Sequence, residues 1–167
     1  YSLYFGDPTK TPPDYDTGEQ VGGVLFSPPI ILPKSGTATL TFDIFLDVEA
    51  DGSFDLFTVE IDGSGAPAFA WSKAQLSSLP TTGFVPVTID LTPYMGQTVS
   101  VRFVFDTIDA SFNTFEGAYL DNVLVDTTCD FTQLDSGFPT LWGSTALAAD
   151  DVYAVGLQGT IAHWNGL

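Results

Sequence analysis

The chain predicts an antiparallel all-β sandwich. Three observations carry this: apolar and polar residues alternate with period two over several stretches, turn-forming clusters separate those stretches, and helical periodicity is nearly absent. The 167 residues are enough for one domain with a real core and a small second unit.

The elements follow in order. The first twenty residues read as an ordered loop rich in Pro and Asp, with Asp7-Pro8 and the run from Thr11 to Gly18. From Leu40, the residues Leu40, Phe42, Ile44, Leu46 and Val48 share one face, and Thr39, Thr41, Asp43 and Asp47 take the other. Phe57, Val59 and Ile61 line a second strand, Val85, Val87, Ile89 and Leu91 a third. Val99, Val101, Phe103 and Phe105 line a fourth, with Ser100 and Arg102 opposite. Such alternation buries one face and wets the other, as antiparallel sheets require. Turns are expected at residues 33–36, 50–53, 62–65 and 92–96, each marked by Pro, Gly, Asp or Ser. Ser72 to Leu79 is the one short helical candidate. In the last strand Ala118 and Leu120 point one way, while Val123 and Val125 continue in the opposite phase. This break at Asp121-Asn122 predicts a β-bulge that re-aims a polar side chain.

Charge narrows the function. Twenty-one acids face four basic residues, Lys10, Lys34, Lys73 and Arg102, for a net charge of -17. That balance repels phosphate backbones and excludes nucleic acid as a partner. No run of about 18 apolar residues predicts a membrane span, and the start lacks a basic, apolar leader, as in a mature or excised chain. Only four of the acids are Glu: Glu19, Glu49, Glu60 and Glu116. Asp suits turns, because its short carboxylate bonds its own backbone, and it also suits calcium, a hard cation taking oxygen ligands. The acids therefore read either as a solvated, turn-rich surface or, for a subset, as calcium ligands. Cys129 stands alone, so no internal disulfide or CxxC site forms; it is a small buried hydrophobe or a reactive thiol.

Residues 4–125 resemble the MAM-like jelly-roll domains of bacterial secreted proteins, relatives of carbohydrate-binding jelly rolls. The matching stretches are Tyr4-Phe5-Gly6-Asp7, Phe42-Asp43 with Glu49 and Asp55, Val59-Glu60-Ile61, Trp71 and Ile89 to Tyr94. The strongest are Gln97 to Phe103 and Gly117 to Val123; the cysteines of the animal domains are absent. Residues 141–167 resemble one repeat of bacterial propeller-like arrays, through Leu141-Trp142-Gly143-Ser144, Asp150 to Gly156 and Gly159 to Gly166. The fold expected is thus a jelly-roll β-sandwich over 1–128, then a linker and a C-terminal β-hairpin extension over 129–167. The hairpin pairs Val152 to Val155 with Thr160 to Trp164 through Gly156-Leu157-Gln158-Gly159.

The jelly-roll resemblance implies a structural calcium, with Asp7, Glu49 and Asp121 as candidate ligands and Asp55 in reserve. A second acidic group, Asp106, Asp109 and Glu116, shares a loop with Phe112 and Phe115. Rings and carboxylates together suit a sugar, and the alternative is a loop whose aromatics cap the sandwich. Trp71 has the same two readings. Catalysis finds little support: His163 is the one His, beside Trp164, and no GxSxG elbow occurs.

A lone hairpin exposes its edges, and repeat units need neighbours. The tail is nonetheless apolar, with Phe131, Leu134, Phe138, Leu141, Trp142, Val152, Tyr153, Val155, Ile161 and Trp164. The function expected is a non-catalytic structural or adhesive module of a secreted or cell-surface bacterial protein. It self-associates, or joins adjacent repeats, by strand pairing, and an extracellular filament is one such product. A carbohydrate-binding accessory module is the alternative, and an enzyme the third reading.

Overall fold

The computed structural model describes residues 2–128, 141–148 and 151–165; the expectations for Cys129, Phe131, Leu134 and Phe138 lie outside them. The chain divides into two compact units, Tyr1–Asp130 and Phe131–Leu167.

The first unit holds β1 (Leu3–Phe5), β2 (Gly22–Phe26), β3 (Ile30–Ile31), β4 (Thr37–Asp47), β5 (Leu56–Asp62), β6 (Ala68–Ser72), β7 (Val85–Asp90), β8 (Thr98–Asp106) and β9 (Gly117–Thr128). One sheet has the order β1-β9-β4-β7 and the other β2-β8-β5-β6, with β3 also beside β8. Every pairing is antiparallel. The first strand lies beside the last and the second beside the penultimate, which is the jelly-roll arrangement. Ser27-Pro28-Pro29 divides β2 from β3, since the prolines have no N–H for the ladder. Ser27 keeps the line by giving its N–H to Val101 O and accepting Val101 N–H on its hydroxyl.

Alternation places the core. Leu40, Phe42, Ile44, Leu46, Val59, Ile61, Val87, Ile89, Val101 and Phe103 are all buried between the sheets. Phe42 meets Trp71 and Phe103 of the opposite sheet edge-on, at 5.9 and 5.2 Å between ring centres. The phase break is a bulge: Thr41 faces Leu124 while Asp43 faces Asp121, leaving one extra residue in β9, and Asn122 has φ 51°. Ser72 to Leu79 is not a helix. Ser72 precedes a single 3-10 turn, Lys73–Gln75, and gives its N–H to Gln75 Oε1.

The excess of Asp over Glu has a local cause. Asp7, Asp14, Asp16, Asp51, Asp90, Asp106 and Asp109 each accept the N–H of the residue two places on. This ring closes with the short Asp side chain, and the extra methylene of Glu spoils it.

The second unit, described by itself, is a three-stranded antiparallel sheet of β10 (Leu141–Ala148), β11 (Asp151–Gly156) and β12 (Ile161–Trp164). The expected hairpin is β11 and β12, joined by a 3-10 turn at Leu157–Gly159. The alternation reading missed β10, because Gly143-Ser144-Thr145-Ala146 has no apolar period and irregular pairing flanks it.

Candidate functional site

The predicted calcium ligands occupy three places. Asp7 is engaged in its own loop, where Oδ1 accepts the N–H and hydroxyl of Thr9. Asp121 sits at the bulge, where Oδ2 accepts from Ser2 and Oδ1 from Asn122 N–H; the Asn122 amide turns to Asp43. Glu49 and Asp55 belong to the loop between β4 and β5. The four acids therefore do not form one cage. Among the described residues no group of three or more His, Cys, Asp or Glu is placed to hold a metal ion.

The loop between β4 and β5 is built around Asp55 and Lys73 instead. Asp55 is wholly buried and held at φ 46°. Its Oδ2 accepts the Tyr15 hydroxyl and the Glu49 N–H, while its Oδ1 has no protein partner among the described residues. Trp71 points into the core, and two residues on, Lys73 reaches beneath the loop, where it is buried. Its ammonium donates to the carbonyls of Glu49, Asp51 and Phe54. Burial pulls Lys73 below the usual lysine range, opposed by Asp55, Glu49 and Asp51. Burial, then the charges of Asp55, Asp109 and Asp51, raises the Glu49 carboxyl, with Lys73 opposing. Nothing in the sequence marked Lys73, Tyr15 or Asp55 as partners, because they lie on three separate segments.

Tyr15 yields a pH prediction. Burial, then its hydrogen bond to Asp55, raises this phenol well above the ordinary value of about 10. A raised folded pKa means that the stability from this group is full below about pH 10 and is lost as pH rises beyond it. Phenolate absorbance is therefore expected to rise with a lagging component, and Tyr15→Phe removes part of that lag. A single titration near pH 10 with the fold intact contradicts this.

The proposed sugar residues separate as well. Trp71 is in the core against Phe42 and Phe57, so it offers no ring to a surface ligand. Phe115 packs on the core, and Phe112 is 73% exposed with φ 57°. Asp106 accepts from Gln20 and Ile108 N–H, Asp109 from Ser111 N–H, and Glu116 from the Tyr119 hydroxyl. A different aromatic row crosses the outer face of the first sheet. Tyr4, Tyr119 and Phe45 are direct cross-strand neighbours, and Phe84 follows next to Phe45. Tyr4 and Tyr119 stack at 4.3 Å, so their facing ring surfaces cover one another.

The most open feature is an edge. β1 pairs only with Leu120 to Ala118, so beyond the bulge no described strand pairs the outer side of β9, from Val123 to Thr128. Beside it lies a hollow of about 320 Å³, and a second of about 270 Å³ under β1 adjoins it, both lined by Leu3, Leu25 and Phe103. Phe26, Ile30, Val123 and Val125 extend the wall, and the core residues Leu40 and Val101 form part of the floor. No charged side chain lines either hollow. Sequence alternation gave the change of phase at Val123 and Val125 but no sign that a neighbouring strand was missing there.

In the second unit, Trp142, Leu147 and Ile161 are each at least 70% exposed. His163 stacks on Tyr153 at 4.2 Å and bonds Asp151 at 2.6 Å. No protein-family model matches the chain, and no curated protein matches it significantly in sequence.

Proposed function

We propose that this chain is a non-catalytic structural module of an extracellular or cell-surface assembly, joined to its neighbours by β-strand addition. The supporting observation is the unpaired edge of β9 beside an apolar groove floored by the core. An added strand gains main-chain hydrogen bonds along β9, and its alternate side chains fill the groove. The occupant is β10 of a second copy. Copies carrying a charge of -17 repel one another, whereas β10 contains no charged residue and neither does the groove lining. This pairing is therefore one that brings no carboxylates of two copies together within the contact itself. Covering a large apolar side chain contributes about 1.5–3 kcal/mol, which favours seating an exposed apolar residue of β10 such as Trp142. Because groove and strand are different surfaces, the contact runs head to tail, and an unclosed series makes a filament.

Sedimentation of the full chain over a range of concentrations tests this, with Trp142→Asp/Leu147→Asp and Phe26→Asp as variants. Wild type is expected to grow with concentration while both variants stay monomeric with unchanged sandwich melting. A wild type that remains a monomer, or variants that associate as wild type does, overturns the proposal.

The aromatic row on the first sheet favours a second reading, a carbohydrate-binding accessory module. Phe84, about half exposed at the end of the row, and Phe112 offer ring surface. Glycan binding lost in Phe84→Ala or Phe112→Ala, with assembly unchanged, supports that reading instead.

A further inference from the structure

The oxygen-rich loop between β4 and β5 is organised like the surroundings of a metal ion, yet its centre is a side chain. The carbonyls of Glu49, Asp51 and Phe54 converge on Lys73 Nζ at 2.6, 2.9 and 2.6 Å. The side chains of Asp55, Glu49 and Asp51 supply negative charge around the same ammonium. Hard cations are held by this mixture of backbone carbonyls and carboxylates. We infer that Lys73 is the resident cation of this loop, a tethered ammonium filling the position a metal ion would take, so that the loop is held without a divalent ion.

The covalent tether explains the local construction. Lys73 is carried in by the 3-10 turn that ends β6, and β6 is fastened to β5, the strand that begins just after Asp55. One side chain thus clamps the loop to the end of β6. A metal ion in the same cage would have to displace an ammonium that cannot diffuse away. For Glu49 and Asp55, two of the four expected calcium ligands, a cation is thus supplied from within the chain.

The test uses the full chain with Lys73→Met, which keeps the apolar stem, and Lys73→Ala, which does not. Melting is followed in calcium and in chelator, and proteolysis at residues 49–55 reports on the loop. In wild type, residues 49–55 are expected to resist protease equally in both solutions. Lys73→Met is expected to melt lower by on the order of 5–10 °C and to become cleavable within the loop. Lys73→Ala is expected to fall at least as far, and propylammonium, which restores the missing atoms, raises its melting temperature without raising that of wild type. A wild type whose residues 49–55 calcium protects from protease overturns the inference, because a metal then binds in the loop despite the lysine. So does a Lys73→Met chain that melts and resists protease like wild type, since the charge is then not what holds the loop.

Discussion

Phe42→Ala is expected to lower the unfolding free energy of the sandwich by about 3–5 kcal/mol, the usual cost of emptying a large aromatic site in a core. Phe42 is the one ring of the first sheet that meets both Trp71 and Phe103 of the other edge-on. Its neighbours on β4, Leu40 and Ile44, are fully buried. They belong to a strand held on both sides, by β9 and β7. A centrally paired strand has little freedom to collapse into a void, so the cost falls toward the upper end of the range. Urea unfolding monitored by tryptophan fluorescence measures it, since the Trp71 ring reports on the vacated space. Phe42→Leu, which keeps most of the volume, is expected to lose less. A loss below about 1 kcal/mol for Phe42→Ala would show that the two sheets are not packed through this residue.

Asp55→Ala is expected to cost on the order of 3–5 kcal/mol, for a different reason. It orphans two buried donors, the Tyr15 hydroxyl and the Glu49 N–H, each worth about 1–3 kcal/mol when left unsatisfied. It also takes negative charge from beside the buried Lys73 ammonium, and a buried charge without compensation is strongly unfavourable. The left-handed backbone at φ 46° adds to this, because Asp tolerates that region better than Ala does. Asp55→Asn retains an acceptor oxygen and the backbone tolerance while losing the charge, so it falls between wild type and Asp55→Ala. The order wild type, Asp55→Asn, Asp55→Ala in chemical denaturation supports the network. An Asp55→Ala chain within about 1 kcal/mol of wild type contradicts it.

The sequence alone determined which residues face inward and where one strand changes phase. Period-two alternation is a property of a single strand: successive side chains in a pleat point to opposite faces whatever lies across from them. That is why ten core positions and the β9 bulge were legible without knowing any strand's neighbour. The wealth of Asp was legible as turn chemistry for the same reason, since each ring closes over two residues. Tertiary structure decided everything that joins distant segments. Tyr15 and Asp55 are forty residues apart, and Lys73 meets carbonyls some twenty residues before it. Only the fold moved Trp71 from a possible sugar platform into the core, and only the fold placed Lys73 inside the loop whose acids suggested calcium. The open edge of β9 belongs to the same class. A missing neighbour is a property of the sheet and leaves no mark in the period of the strand that lacks it.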